Sequence, residues 1–401
     1  MYDVIVVGAR CAGASTAMLL ARRGHRVLML DKDPPGEDMT HSTHFVQPIA
    51  VSKLRTWGLL PALEAICPSF DTYSLDFGTA VIKGKPPQVG GDARAFCPRR
   101  NVLDPILVAA AEAAGVEYRP HSKVVDVIRQ DDAVAGLQVV TPDGDTRAIS
   151  ARLVVGADGP ASTIAKAVGA ERYREAPAQQ ATMWGYWSNI QVEGLELTLR
   201  PGRAVYAGPT SGGDTMIGVN WVMEDFTRLR REVEASYHAT IEQLTPALAI
   251  QIKKSALSTP LRLGSTRNFL RVPYGPGWVL LGDAGHKKDP CTAQGITDAF
   301  IDADACTLII DRGLRGERPL LEVLKEWHAA RDARLVPFHD MTIQMAKFAA
   351  PDAAESALYQ ALAQNVAATT QFLGLITGST NPQEFFASAN IGAILAESSS
   401  M

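Results

Sequence analysis

The first 31 residues alternate in the order strand, glycine turn, helix, strand. Val4 to Val7 form a continuous apolar run, as expected for a strand buried on both faces of a parallel sheet. Helix-forming residues follow from Ala14 to Arg23, and Gly24 is a residue type at which helices commonly end. A second apolar run at 26–30 is closed by Asp31. The chain therefore predicts a βαβ unit that starts at its first residues.

The turn between this strand and helix reads Gly-Ala-Arg-Cys-Ala-Gly over residues 8–13. Gly8 permits the tight turn, Gly13 lets the helix pack closely, and the helix N-terminus faces a pyrophosphate. Asp31 is placed to accept the ribose hydroxyls of an adenosine. Arg10 stands where the pattern expects a middle glycine: either the guanidinium adds charge to an altered phosphate approach, or the residue counts against the motif. A tight turn of any α/β protein is the competing interpretation.

Two further glycine turns follow short apolar runs later in the chain. Residues 156–162 read Gly-Ala-Asp-Gly-Pro-Ala-Ser after an apolar run at 153–155. Residues 282–286 read Gly-Asp-Ala-Gly-His after an apolar run at 278–281. In the later turn, Asp283 lies at the carboxyl end of a strand and can accept a ribityl hydroxyl, because the preceding glycine admits close approach of the backbone.

A helix is predicted over 296–310, where apolar residues recur at helical spacing. Its N-terminus at Gly295 and Ile296 can direct backbone N–H groups and the positive end of the helix dipole at a flavin. The N1/O2 edge of a flavin becomes anionic on reduction, so this helix end would stabilise the reduced form.

The three motifs, in this order and at these separations, resemble those of the para-hydroxybenzoate hydroxylase-like flavoproteins. The resemblance covers about residues 1–330, with Asp158-Gly159 and Gly282-Asp283 at the family's DG and GD motifs. Arg100, followed by Leu103 and Leu107, matches an arginine that reaches the FAD in the family. The resemblance implies FAD as cofactor and NAD(P)H as reductant. It implies these cofactor-binding residues: Gly8, Arg10, Gly13, Ala14, Asp31, Lys32, Thr43, Arg100, Val124, Asp158, Gly282, Asp283, Pro290, Gly295 and Ile296.

The resemblance implies a monooxygenase that uses O2 to oxygenate an aromatic or other electron-rich small molecule, as in secondary metabolism. Hydroxylases of the family usually have Pro-Pro after the GD motif, where this chain has Asp289-Pro290. An Asp-Pro pair is more similar to the flavin-dependent halogenases, but residues 184–191 lack the W-x-W-x-I-P signature. The alternatives are a halogenase that needs a partner flavin reductase, a flavin-dependent reductase or dehydrogenase, and a non-enzymatic protein with structural FAD.

Three residues are candidates for catalysis: Asp289, Pro290 and His44. Asp289 lies beside the isoalloxazine if the family pattern holds, where it could orient substrate, tune the flavin or link to it covalently. The alternative is that Asp289 only caps a turn before Pro290. His44 follows Thr43 in a loop that lies near the flavin in relatives, with a plain surface loop as the alternative. We expect His286 to be a hydrogen-bonded structural residue, with a general base as the alternative. Lys287 and Lys288 are expected to be a solvated pair, with attraction of the FAD or NADPH phosphates as the alternative.

Aromatic residues cluster in the middle of the chain, and four of them are candidates for lining an apolar substrate pocket: Trp184, Tyr186, Tyr206 and Trp221. Core packing of a second domain is the competing interpretation for each of them. On one strand, Trp184 and Tyr186 share a face and Trp187 points to the other, so not all can line one pocket.

The expected fold class is α/β, a Rossmann-type FAD-binding fold with an inserted, mostly antiparallel β-sheet substrate domain and a helical C-terminal segment. Residues 67–94 are rich in Gly and Pro and are expected to be loop-like, and strands are expected at 122–128 and 136–140. The expected domains are FAD-binding at 1–70, 98–170 and 265–330, substrate-binding at 71–97 and 171–264, and helical at 331–401.

Composition excludes several classes of partner. A formal charge of −4 offers no basic patch for nucleic acid, and no apolar run approaches the ~20 residues that span a bilayer. The five cysteines are scattered without CxxC pairs, which disfavours a disulfide scaffold or a metal site and favours a reducing cytoplasm. Because the sequence opens directly on the first predicted strand, we expect no leader segment. The C-terminal helices are candidates for closing the pocket or for forming a homodimer contact.

Overall fold

The computed structural model describes residues 1–34, 36 and 44–398, so Thr43 of the expected cofactor residues lies outside the described part. The predicted βαβ unit is present at the beginning of the chain. It consists of β1 (Tyr2–Val7), α1 (Cys11–Ala21) and β2 (Val27–Leu30). The two strands pair in parallel with Val4 opposite Val27, and all four side chains of β2 are buried.

The segment after β2 contains more regular structure than the sequence predicts. It forms α2 (Pro48–Thr56), α3 (Leu60–Glu64), β3 (Ser69–Phe70), β4 (Tyr73–Asp76), β5 (Val81–Gly84), β6 (Ala95–Phe96) and α4 (Arg100–Ala113). The prediction of a loop over 67–94 was wrong at β4 and β5. These strands are short, and β4 pairs in parallel with a strand more than 100 residues later, at Leu195–Arg200, which no local pattern reveals.

The next part of the chain adds two further strands to the parallel sheet. Its elements are β7 (Glu117–Arg119), β8 (Lys123–Gln130), β9 (Ala133–Val140), β10 (Thr146–Gly156) and α5 (Thr163–Ala167). The strands β7, β2, β1 and β10 lie side by side, all parallel. β10 first pairs with β9 of a meander and then enters the parallel sheet, so the run predicted at 153–155 is the end of a longer strand.

The middle of the chain forms most of a second, seven-stranded sheet. The elements of this part of the chain are β11 (Arg172–Ala176), β12 (Gln180–Trp187), β13 (Leu195–Arg200), β14 (Arg203–Pro209), β15 (Thr215–Val222), α6 (Met223–Leu229), α7 (Val233–Leu244), α8 (Pro246–Ile252) and β16 (Arg262–Ser265). β11 lies outside the seven-stranded sheet, in a three-stranded sheet with two later strands at 268–271 and 286–287. The strand order of the seven-stranded sheet is β16-β12-β15-β14-β13-β4-β5. Every neighbouring pair is antiparallel except β13 with β4.

The chain then returns to the parallel sheet. The elements are β17 (Asn268–Arg271), β18 (Tyr274–Gly275), β19 (Trp278–Leu280), β20 (His286–Lys287) and α9 (Gly295–Leu314). β19 pairs in parallel with β10 and so becomes the fifth parallel strand, with Val154 opposite Trp278. α9 packs on α1 and continues past the predicted end at residue 310. The third glycine turn, between β19 and α9, therefore lies beside the first.

The C-terminal part is helical, as the sequence predicts. It consists of α10 (Leu320–Met345), α11 (Ala353–Gln364), α12 (Val366–Thr377), α13 (Pro382–Phe385) and α14 (Ser388–Ser398). α11 and α12 contact β5 at the edge of the seven-stranded sheet and bury Leu362, Phe372 and Leu373 against its apolar face. Within residues 1–34, 36 and 44–398, no helix combines the length and apolarity needed to cross a membrane.

Candidate functional site

Two glycines shape the first turn, and each is required by close backbone contact. Gly8 has φ +98°, and a Cβ at this residue would lie 2.3 Å from the carbonyl oxygen of Ala157. A Cβ on Gly13 would lie 1.8 Å from the carbonyl oxygen of Gly8. Because Ala157 belongs to the second glycine turn, the first two motifs are in direct contact. The N–H of Ala157 also donates to the carbonyl of Val7 at 2.8 Å.

A cleft opens beside this turn, at the end of β2. Its lining includes Ala9, Arg10, Asp31, Asp104 and Tyr118. The Asp31 carboxylate accepts a hydrogen bond from the N–H of Ala9 at 2.7 Å and is held at the cleft by it. Arg10 is the N-cap residue of α1 and provides no side-chain cap, and its buried Nη1 finds no hydrogen-bond partner among the described residues. Unpaired N–H donors and a guanidinium suit phosphate, and the carboxylate suits ribose hydroxyls.

Arg100 is the first residue of α4, and its side chain forms an ion pair with the carboxylate of Asp104. Its Nε and Nη2 donate to Oδ1 of Asp104 at 2.9 and 2.7 Å, and both side chains are buried. Burial raises the pKa of Asp104, against the attraction of Arg100. The sequence already indicated this pairing, because an arginine and an aspartate four residues apart are neighbours on the surface of a helix. Asp104 is thus a site residue that sequence reasoning missed.

The third turn packs on the first helix. Gly282 has φ +55°, and a Cβ there would lie 2.9 Å from the Cβ of Ala12 in α1. Asp283, in the following 3₁₀ turn, forms an ion pair with Lys287 and remains one-third exposed. The N-terminus of the 20-residue α9 has no side-chain cap, and a Cβ on Gly295 would meet no described atom within 4 Å. An uncapped helix end open to its surroundings can receive an anionic group.

Three other expected cofactor residues are placed as follows. The Asp158 carboxylate accepts hydrogen bonds from the Ser162 hydroxyl and from the N–H groups of Thr163 and Ile164, so it caps α5. Burial raises its pKa. Val124 is buried in the core between the parallel sheet and the meander, and Lys32 is largely exposed. The backbone of Asp158 therefore lies beside the first glycine turn, whereas its side chain is hydrogen-bonded to other residues of the protein.

Asp289 caps a short 3₁₀ helix, Pro290–Thr292, as the structural interpretation of this residue predicts. Its Oδ1 accepts from the N–H of Cys291 at 3.1 Å, and its own N–H donates to Oδ1 of Asn268 at 2.6 Å. The other carboxylate oxygen is buried and has no hydrogen-bond partner in the described ranges. Burial raises the pKa of Asp289 to about 7. One oxygen therefore holds the turn, and the other is available to a ligand.

His44 and Tyr186 meet between the two sheets. The hydroxyl of Tyr186 is hydrogen-bonded to Nε2 of His44, and the rings stack with centroids 5.8 Å apart. His44 is buried and has φ +62°, and burial holds its pKa well below the usual range. Trp184, Tyr186 and Tyr206 share one apolar cluster. The structure therefore joins a residue that the sequence places near the flavin to three candidate substrate residues.

Trp221 does not belong with these candidate substrate residues. It lies on the opposite face of the sheet, where it packs with Tyr237 and Ile241 and donates from Nε1 to the Thr240 hydroxyl at 3.1 Å. The reason is the strand period of two, which places neighbouring residues of β15 on alternate faces. Trp187 also lies on that outer face, as predicted.

The expectation of a solvated lysine pair was wrong for Lys288. Its side chain is only 5% exposed, and its ammonium lies 2.9 Å from the Asp298 carboxylate. The same ammonium donates to Oε1 of Gln294, the N-cap residue of α9. His286 is buried near Asp298 and Asp302, which agrees with a structural residue. The acidic residue that pairs with Lys288, Asp298, lies in α9, so the position of Lys288 relative to that helix, and not its local sequence, determines its burial.

These features define a flavoprotein with a parallel dinucleotide-binding sheet. Comparison with known proteins agrees: residues 1–336 match the FAD binding domain family, and the chain belongs to that family. FAD is thus the cofactor, and the required glycines, the Asp31 cleft and the uncapped helix ends fit it.

Relatives include enzymes of more than one activity. The chain is 26% identical over 339 residues to 6-methylpretetramide 4-monooxygenase of Streptomyces rimosus, which covers 82% of this chain and 79% of the relative. It is 24% identical over 310 residues to digeranylgeranylglycerophospholipid reductase of Methanosarcina mazei, covering 75% and 72%. The solved structure of the flavin-dependent brominase Bmp2 superposes with a TM-score of 0.78 at 17% identity, covering 100% of this chain and 98% of that one. The last likeness establishes the fold alone.

Proposed function

We propose that the protein is an FAD-dependent monooxygenase that uses NAD(P)H and O2 to oxygenate an aromatic or other electron-rich small molecule, in secondary metabolism. The observation that carries the proposal is the contact between His44 and Tyr186. It joins the aromatic face of the seven-stranded sheet to a residue that the family resemblance places near the flavin. The monooxygenase among the relatives supports the same reaction class.

We assign the cofactor to residues 1–70, 98–170 and 265–330, and the substrate to 71–97 and 171–264. The second set supplies every strand of the seven-stranded sheet except the last residue of β16. The helical segment from 331 onward covers the edge of that sheet through α11 and α12. Substrate would thus lie between the aromatic sheet face and the cofactor, with the C-terminal helices helping to exclude water.

The bound FAD would supply the redox chemistry, taking electrons from NAD(P)H and passing them to O2. The protein's residues bind and orient it. The glycine turn and the N-terminus of α1 would hold the pyrophosphate, and Asp31 would accept the ribose hydroxyls. Asp283 would accept a ribityl hydroxyl, and the positive end of the α9 dipole would favour negative charge on the flavin.

His44 and Tyr186 are proposed to position the substrate. Because burial lowers the pKa of His44, its imidazole is neutral at pH 7 and shares one proton with the Tyr186 hydroxyl. Such a pair can orient a hydroxyl of the substrate with little reorganisation. Asp289 and Pro290 are also proposed to line the site, and the buried, unpaired carboxylate oxygen of Asp289 would contact substrate or flavin.

Anaerobic stopped-flow mixing with NADPH or NADH tests the proposal. We expect fast bleaching of the flavin in the presence of an electron-rich aromatic substrate. On admission of ¹⁸O2, we expect one labelled oxygen atom in the product. Flavin that stays oxidised with both reductants and every candidate substrate contradicts a single-component monooxygenase. Activity that appears only with a separate flavin reductase and halide identifies a halogenase instead.

A reductase is the second candidate, because an archaeal lipid reductase is among the relatives. The two candidates differ in stoichiometry. A reductase transfers the electrons to a carbon–carbon double bond and consumes no O2, whereas a monooxygenase consumes one O2 for each NAD(P)H.

A further inference from the structure

Two cations and two carboxylates meet at α9. The ammonium group of Lys288 pairs with Oδ2 of Asp298 at 2.9 Å. Arg334 of α10 donates to Oδ1 of Asp298 at 3.0 Å and to Asp302 at 3.3 Å. Lys288, Asp298 and Asp302 are each less than one-tenth exposed, so little water screens their charges. With His286 neutral between the two carboxylates, the four groups carry no net charge.

The ion pair of Lys288 and Asp298 lies at the first turn of α9. Asp298 is the fourth residue of the helix, and Lys288 donates to Oε1 of Gln294, the residue that precedes it. Asp289, next to Lys288, is buried and carries a carboxylate oxygen without a hydrogen-bond partner in the part of the chain that the structure describes. An unpaired buried oxygen is unfavourable unless a ligand pairs with it, so it independently indicates a ligand at this segment.

The charge of Asp298 opposes the helix dipole at this position. Burial would raise the pKa of Asp298, but Lys288, His286 and Arg334 lower it further, so the carboxylate is ionised at neutral pH. A negative charge in the first turn of a helix reduces the positive potential that the N-terminus offers to an anionic ligand. In a buried site such an effect is stronger than in water. The cation of Lys288 offsets it.

We propose that Lys288 is a positioning residue that acts on the flavin through Asp298. By cancelling the charge of this carboxylate, it keeps the N-terminus of α9 favourable to reduced, anionic FAD. The proposal rests on the proposed placement of FAD at α9 and adds the residue that sets how readily the cofactor accepts electrons. Reduction by two electrons with uptake of one proton leaves one negative charge on the flavin. Without Lys288, that charge and the charge of Asp298 would repel each other.

The reduction potential of the bound FAD tests the proposal. It is measured anaerobically at pH 8 with xanthine and xanthine oxidase as the source of electrons and a dye of known potential. We expect Lys288→Met to lower the affinity for reduced FAD relative to oxidised FAD at least ten-fold, which is about 30 mV for a two-electron couple. Asp298 keeps its charge in this variant because Arg334 still pairs with it. Lys288→Arg keeps the cation and should shift the ratio less.

A charge-balanced variant separates the electrostatic role from a purely structural one. Lys288→Met combined with Asp298→Asn removes both charges of the pair, so the ratio of the two affinities should return to within three-fold of wild type. A structural role predicts that the double variant is perturbed at least as much as the single one. Lys325→Met is the matched control: it makes the same substitution at an exposed position of α10, where water screens the charge, and should leave the potential unchanged.

Three results overturn the proposal: an unchanged potential in Lys288→Met, a double variant as low as Lys288→Met, or an equal shift in Lys288→Arg. FAD occupancy and the circular dichroism spectrum show whether each variant is folded and loaded. Should Lys288→Met fail to fold or to hold FAD, Asp298→Asn alone leaves the cation without its counter-charge. It should raise the relative affinity for reduced FAD at least three-fold, and an unchanged or lower ratio contradicts the proposal.

The potential is measured without NAD(P)H, O2 or substrate, so it is separate from the test of the reaction. The expected shifts without flavin bleaching by NADPH would retain the role of Lys288 and reject the single-component monooxygenase. Bleaching by NADPH with the same potential in all variants would retain the monooxygenase and reject the role of Lys288.

Discussion

The ammonium group of Lys288 lies 2.9 Å from the carboxylate of Asp298, with both side chains almost completely buried. Arg334, from α10, approaches the other oxygen of Asp298 at 3.0 Å. Lys288 also donates to Gln294, whose amide donates to the carbonyls of Leu375 and Ile376 in α12. These bonds fix residues 288–294 to α9, α10 and α12, and this is the segment that carries Asp289 and the start of α9. The buried charges therefore position one side of the cofactor site.

Replacement of Lys288 by methionine should destabilise the protein by about 3 kcal/mol. The reason is that Asp298 would keep its negative charge in a buried position with one cation fewer. Urea unfolding of the FAD-loaded protein measures the change. Lys287→Met is the matched control, because Lys287 is more exposed and pairs with a partly exposed carboxylate. It should cost less than about 1 kcal/mol. Equal stability of the Lys288 variant and wild type would contradict the structural role.

The same cluster predicts a dependence on pH. Burial alone would raise the pKa of Asp298, but Lys288, His286 and Arg334 together hold it below its usual range. A carboxylate with a lowered pKa stabilises the folded state above the unfolded-state pKa, which is about 4. That stability is lost as the pH falls below this value. In Lys288→Met the pKa of Asp298 in the folded state should rise toward its unfolded value, so acidification should remove less stability than in wild type, which urea midpoints between pH 3 and 7 can show. Parallel pH profiles would contradict the prediction.

The cofactor half of the site was readable from the sequence because its chemistry is local. Gly8 and Gly282 have positive φ in their own turns, Gly13 lies against the nearby Gly8, and an acidic residue at the end of a strand has a fixed place in such a fold. The substrate half of the site depends on the register in which the strands of the seven-stranded sheet pair. Whether Trp184 and Trp221 share a face, and whether Arg262 joins them, follows from which residues pair across β12, β15 and β16. The burial of Lys288 could not be predicted from its local sequence either, because its partners Asp298 and Gln294 belong to α9 and its N-cap.

Asp289 should make the protein less stable as the pH rises. Burial raises its pKa to about 7, so the folded state holds a proton that the unfolded chain releases above about pH 4. Stability from this group is complete below pH 4 and falls as the pH rises to 7. Three pKa units correspond to roughly 4 kcal/mol. Asp289→Asn keeps the acceptor for Cys291 and cannot ionise.

Urea unfolding of wild type and Asp289→Asn at pH 4.5 and pH 8 measures this effect. The asparagine variant should gain on wild type by several kcal/mol between the two conditions. A constant difference across this range would mean that the Asp289 carboxyl is already ionised at low pH.

Replacement of Gly13 by alanine should yield a protein without flavin. The new Cβ would lie 1.8 Å from the carbonyl oxygen of Gly8, so the turn that faces the pyrophosphate must move. Absorbance near 450 nm relative to 280 nm in the purified protein gives the FAD occupancy. Gly392→Ala, in α14, is the control, because a Cβ there meets no described atom within 4 Å. Full yellow colour in the Gly13 variant would show that the pyrophosphate is bound elsewhere.

Trp221 and Trp184 should respond differently to the same substitution. Trp221→Phe removes the hydrogen bond to Thr240 on the outer face of the sheet, where Tyr237 and Ile241 cover it. It also removes one ring, so it should lower the free energy of unfolding by about 2 kcal/mol and leave the KM for substrate unchanged. Trp184→Phe should raise the KM, because Trp184 lies on the sheet face that is proposed to line the substrate pocket. Steady-state kinetics and urea unfolding of both variants separate the two effects. A raised KM in Trp221→Phe at unchanged stability would mean that substrate is bound on the outer face of the sheet.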